Sequence, residues 1–183
     1  MRRAAAVLGS ALFLVIAPGT VAGLVPFWIS RWAFAGRLPL QIAGGLIIVA
    51  ALPVLLDSFA RFALQGFGTP APVFPTQRLI VTGLYRYVRN PMYVAVVALI
   101  LGQGLLFGNV RVLEYGALVW LCFHVFVLAY EEPTMCRTFP QEYAVFCKNV
   151  SRWIPRLTAW RGDNATSCES RDPSSRVQRR RWR

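Results

Sequence analysis

Residues 91–130 read PMYVAVVALILGQGLLFGNVRVLEYGALVWLCFHVFVLAY, and Glu131-Glu132-Pro133 follow at once. Two apolar runs, Pro91 to Phe107 and Val112 to Tyr130, flank the short connection Gly108-Asn109-Val110-Arg111. A helix needs about 20 mostly apolar residues to cross hydrocarbon, and so short a link can only join antiparallel neighbours. The stretch predicts a transmembrane helical hairpin whose inner ends, Pro91 and Tyr130, meet on one side of the bilayer.

Two further apolar blocks precede the hairpin, from about Ala4 to Ile29 and from Leu38 to Leu64. Met1-Arg2-Arg3 with a possible cleavage site at Ala22-Gly23 has the outline of a secretory signal, but the apolar run continues to Ile29, which favours an uncleaved anchor. Pro18-Gly19 should kink or split that first helix. Composition agrees with a bilayer environment: of 183 residues, 56% are hydrophobic and only 15% charged, with mean hydropathy +0.47. A soluble domain carries about a quarter charged residues.

The formal charge of +12 comes from 20 Lys+Arg against 8 Asp+Glu. The basic residues lie between apolar blocks rather than on one stripe, which argues against nucleic acid and for a membrane orientation signal. With the N-terminus inside, only Arg31, Arg37 and Arg111 of the 20 face outward, so both termini are expected in the cytoplasm. Cys122, Cys136, Cys147 and Cys168 form no CxxC pair and have no partner histidine at metal spacing, so neither a disulfide framework nor a metal site is expected. The expected fold is an all-α integral membrane protein with about four transmembrane helices, a cytoplasmic C-terminal helical segment and a disordered Arg-rich tail. It divides into the first two helices (1–64), a core of loop, hairpin and C-terminal segment (65–160), and the tail (161–183). Arg-Gly-Asp and the Asn164 sequon in that tail fall on the cytoplasmic side, where neither acts as a signal.

Polar residues gather where the hairpin opens. Asp57 and Arg61 lie four apart and predict an ion pair at the inner end of the second helix. GFGTPAPVFP (66–75) is too rich in Gly and Pro for a helix and reads as a cytoplasmic loop or lid. GLYRYVRNPMY (83–93) places Pro91 in the first turn of the third helix with Asn90 as its N-cap. Backbone N–H groups freed there suit an anionic moiety. Glu131 and Glu132 can be a solvated membrane boundary. At a helix C-terminus, however, carboxylates oppose the dipole, so Arg89 or a cationic ligand should compensate them. His124, the sole histidine, precedes Glu131 by seven residues and so shares its face; a packed, hydrogen-bonded ring is the simpler reading than a proton relay. Arg137 reads equally as a substrate-carboxylate holder or a headgroup-binding surface charge.

Arg-Asn-Pro-Met-Tyr at 89–93, Glu-Glu-Pro at 131–133 and a Tyr-containing segment ending in Trp-Ile-Pro-Arg at 153–156 resemble, in that order, the isoprenylcysteine carboxyl methyltransferase and phospholipid methyltransferase superfamily. Asn90 stands where prenylcysteine enzymes have His, and Gly68 to Pro72 is similar to bacterial members. The resemblance implies an enzyme of the bacterial inner membrane that uses S-adenosylmethionine to methylate a lipophilic acceptor, with prenylcysteine-type carboxyl O-methylation favoured and phospholipid or small-molecule N- or S-methylation as the alternative. It implies catalytic roles for Arg89, Glu131 and Glu132, and a cofactor pocket formed by Asn90, Pro91, Tyr93, Gln103, Tyr130, Glu131 and Glu132. Gly102 and Gly104 around Gln103 also read as close helix packing. Expected partners are the acceptor and a bilayer with anionic headgroups. The rivals are a sterol-reductase-like protein, whose phosphate-bearing cofactor a glutamate pair would repel, and a non-enzymatic scaffold or transport subunit.

Overall fold

The computed structural model describes residues 16–65, 79 and 81–161. Residues 4–15 of the first predicted span, the Gly/Pro-rich stretch 66–75 and tail residues 162–183 lie outside the described residues. Five helices follow one another: α1 (Ile16–Ser30), α2 (Leu38–Gln65), α3 (Pro91–Phe107), α4 (Val110–Thr138) and α5 (Pro140–Asn149), with a 3₁₀ turn at Gly83–Arg86 before α3. No strand occurs among the described residues.

Two helices, Leu38–Arg61 within α2 and Val110–Thr138, are long and apolar enough to cross a membrane. Helix α3 and the described part of α1 are apolar but shorter, so the expectation of four spans is met in length by two. At about 1.5 Å per residue, the 17 residues of α3 extend roughly 25 Å.

Helix α3 is apolar on all sides, and such a helix must be covered all round. Its Ala95, Val96 and Ile100 are buried against α1, α2 and α4. The closest approach is to α2: a Cβ on Gly44 would lie 2.5 Å from the Gly102 carbonyl oxygen and 2.5 Å from the Leu106 nitrogen. The glycines beside Gln103 thus serve close packing. By contrast, Leu46 and Val49 on α2 and Leu118 and Val125 on α4 are well exposed, the lipid-facing flank expected of membrane helices.

The α3–α4 link is shorter than the four residues predicted. Gly108 takes φ +63°, which glycine adopts without strain. Asn109 Oδ1 accepts from the Arg111 N–H at 3.0 Å, so α4 starts at Val110.

Both α1 and α4 contain a π-helical turn. In α1 it spans Thr20–Leu24, so Pro18-Gly19 leads into a bulge instead of splitting the helix. The Val25 N–H bonds to the Thr20 carbonyl, five residues back, and residue 26 is a proline with no N–H. The Val21 and Ala22 carbonyls therefore lose their usual α-helical donors. Tyr115 Oη donates to Val21 O at 3.0 Å, and Gln103 Nε2 donates to Ala22 O at 2.6 Å. In an apolar surround such satisfaction is obligatory.

Candidate functional site

In α4 the π turn spans Val127–Glu131, and the Glu132 N–H bonds to the Val127 carbonyl. Pro133 lies four residues after Ala129 and has no N–H to give, a common setting for such bulges. The helix continues to Thr138. Glu131 and Glu132 are therefore not at a helix C-terminus, as the sequence suggested, but in and just after a widened turn inside α4.

That turn separates the two carboxylates. Glu131 accepts from Tyr93 Oη at 3.1 Å. Glu132 accepts from Arg89 Nη1 at 3.1 Å and, bidentately, from Arg152 Nε at 2.7 Å and Nη2 at 2.8 Å. Arg89 Nη1 also reaches Cys147 Sγ at 2.8 Å. Both guanidinium groups thus converge on Glu132. Glu131, half-buried, has a neutral phenol as its hydrogen-bond partner. Arg89 Nε is buried with no acceptor among the described residues.

The segment after α5 closes the cluster. The Arg89 N–H donates to Ser151 O at 2.9 Å, and Arg156 N donates to Tyr87 O at 2.9 Å. Asn90 does not cap α3 with its side chain; Nδ2 donates to the Arg152 carbonyl at 3.3 Å instead. Pro91 fills the buried first turn of α3, as predicted. His124 accepts from Trp153 Nε1 at 3.1 Å and stacks on Trp120, the packed-histidine arrangement. The π turn shifts the phase of α4. His124 shares contact with the 152–153 segment with Glu132, eight residues on, and not with Glu131. Phe123, whose ring lies 4.6 Å from that of Tyr93, pairs in the same way with Glu131.

Electrostatics outside the spans follow these contacts. The Arg152 pKa is held up chiefly by its hydrogen bonds to Glu132. Burial pushes the Cys147 thiol up, and the adjacent Arg89 guanidinium only partly reverses this. Burial likewise raises the Tyr143 phenol.

Of the predicted site residues, Arg89, Asn90, Pro91, Tyr93, Glu131 and Glu132 come together. Gln103 is committed to Ala22, about 15 Å along α3 from Tyr93 at helical rise. Tyr130 is largely exposed and stacks on Phe126, and Arg137 is an exposed residue of α4. The Asp57–Arg61 ion pair forms at 2.7 Å. Arg152 and Cys147 were not foreseen, because no spacing rule links residues 20 and 58 apart. A separate cavity of about 470 Å³, lined by Thr82, Arg86, Glu142 and Trp160 among others, contains none of the clustered side chains.

The family model described as phospholipid methyltransferase matches residues 40–142, more than half of the chain. The chain belongs to the phospholipid methyltransferase family. The match runs from α2 through the start of α5 and so includes both glutamates, Arg89 and Tyr93. No curated protein matches the chain. Family membership and the two apolar helices together make this a membrane methyltransferase.

Proposed function

We propose that this family member transfers a methyl group from S-adenosylmethionine to a lipophilic acceptor at the opening between α3 and α4. One observation carries the reading: among the described residues the cluster holds a carboxylate with no cation hydrogen-bonded to it, Glu131, and a buried guanidinium N–H with no acceptor, Arg89 Nε. A ligand with both a cation and a carboxylate, such as a methionine-derived sulfonium, supplies what each lacks. Once bound, S-adenosylmethionine provides an electrophilic methyl on sulfur.

In this reading Glu131 attracts the cationic portion and Arg89 the carboxylate, while the Tyr93 ring offers a cation–π face. Glu132 and Arg152 hold Arg89 and the 151–156 segment in register, and positioning supplies most of the rate in an in-line methyl transfer. Gln103 and Tyr130 lie outside the proposed pocket.

For the acceptor we favour a prenylcysteine-type carboxylate. Attack by an anion on a sulfonium neutralises charge, which a low-dielectric site promotes, and needs no general base. A phospholipid amine is the second reading, supported by the family description; there Glu131 would accept the proton. The excess of arginine toward one side supports N- and C-termini in the cytoplasm, and the similarity of Gly68 to Pro72 to bacterial members supports a bacterial inner membrane.

Equilibrium binding of S-adenosylmethionine to the detergent-solubilised full chain tests the reading. No binding, or binding unchanged in Glu131→Gln with Glu132→Gln, would sink it. Transfer of labelled methyl groups to a membrane lipid extract, with base-labile product indicating an ester, then separates carboxylate from amine acceptors.

A further inference from the structure

Among the described residues, every well-exposed large hydrophobic side chain but two lies at or before Tyr130, on the apolar helices or the loop between α1 and α2. The exceptions are Ile154 at 76% and Leu157 at 101% exposure. Both lie in the non-helical segment that follows α5 and packs beside the glutamate cluster. Neither side chain is needed to hold the segment, because its backbone does so: Arg156 N bonds to Tyr87 O, and Trp160 N to Arg86 O at 3.0 Å.

The depth of this segment can be gauged along α4. Trp153 bonds to His124 and its ring lies 6.3 Å from that of Trp120. At helical rise, those residues sit about 10 and 16 Å before Glu131, on the side of the hydrocarbon. Trp120 is itself exposed, next to the exposed Leu121 and Val125, so the segment continues the lipid-facing flank of α4. Irregular backbone near hydrocarbon needs its polar groups tied; here the Ser151 and Arg152 carbonyls accept from Arg89 and Asn90, and the Arg156 and Trp160 N–H groups donate to Tyr87 and Arg86. From Ser151 to Arg161 the sequence SRWIPRLTAWR has no acidic residue; Arg152 is paired with Glu132, and Arg156 and Arg161 carry the charge that anionic headgroups attract.

We propose that residues 153–157 form a leaflet anchor. Ile154 and Leu157 enter the boundary between headgroups and acyl chains of an anionic bilayer, and Arg156 and Arg161 lie at headgroup level. Through Arg152 the anchor is continuous with Glu132, so the opening of the site is held against the membrane surface from which a lipid acceptor would enter.

Fluorescent labels on Ile154→Cys and, separately, Leu157→Cys test this in the full chain, with native cysteines replaced by serine, in nanodiscs of phosphatidylcholine and phosphatidylglycerol. A label on the exposed Gln141 of α5 is the control. The anchor predicts quenching by a lipid bearing a nitroxide high on its acyl chain, and iodide quenching at least about fivefold weaker than at position 141. Iodide access equal to the control overturns the proposal. So does shielding from iodide without nitroxide quenching, which would mean that protein covers the segment. If one variant does not reconstitute, the other carries the same reading, and neither depends on methyl transfer.

Discussion

Arg152 lays its guanidinium along the carboxylate of Glu132, with Nε 2.7 Å from Oε1 and Nη2 2.8 Å from Oε2. This bidentate pair ties the segment after α5 to the last third of α4, in a place where Glu132 is mostly shielded from solvent. Fork-to-fork geometry of this kind fixes direction as well as distance.

Arg152→Ala leaves Glu132 with Arg89 alone and removes the ion pair to the segment, whose backbone bonds to Arg86, Tyr87 and Arg89 remain. A stability loss of about 1–3 kcal/mol is expected, read as a lower unfolding midpoint in detergent. Arg152→Lys should recover only part of it, because an ammonium cannot bridge both oxygens. A lysine variant as stable as the native chain would count against the bidentate role.

Glu131→Gln keeps a side chain that can accept from Tyr93 and removes the charge. S-adenosylmethionine affinity should fall by about tenfold or more, roughly 1.4 kcal/mol, with the unfolding midpoint little changed. Tyr93→Phe should weaken binding by less, because its ring face is retained. Titrations of the two variants under identical conditions check the order.

Gln103→Leu removes the donor that serves the Ala22 carbonyl across from Pro26. Loss of about 1–2 kcal/mol is expected for a bond between membrane helices, with cofactor affinity unchanged. Thermal unfolding and a binding titration on the same preparation separate the two effects; a weakened affinity at full stability would restore Gln103 to the binding site.

Gly44→Ala places a methyl group against the Gly102 carbonyl and the Leu106 nitrogen, both backbone atoms that cannot swing aside. Overpacking of about 1–3 kcal/mol is expected, visible as a lower unfolding midpoint. Gly45→Ala is the control, since a Cβ there meets nothing within 4 Å.

The Cys147 thiol, raised by burial, is neutral to higher pH than a free cysteine. Because the folded value exceeds the unfolded one, its contribution to stability is complete below the unfolded pKa and is lost as pH rises through the folded value. Alkylation of Cys147, followed by mass spectrometry across a pH series, should accelerate only at more alkaline pH than for a free thiol. Cys147→Ser should lessen the fall in stability at high pH.

The sequence alone determined the hairpin, the extent of α2 to within a residue, the first turn of α3 at Pro91 and the Asp57–Arg61 pair, because apolar run length, proline chemistry and i,i+4 spacing are local. It also brought Arg89, Tyr93 and the glutamates to one opening, since an antiparallel hairpin leaves no other choice. Only the tertiary structure decided that Glu131 turns to Tyr93 while Glu132 turns to Arg89 and Arg152. That division depends on one extra residue in a turn of α4, and apolar periodicity is nearly blind to such a shift. Pro133 and Pro26 were the available signals, each withholding one N–H from a carbonyl four residues earlier. Arg152, Cys147 and the Gln103–Ala22 bond depended on chain segments distant in sequence meeting in space, which no local rule encodes.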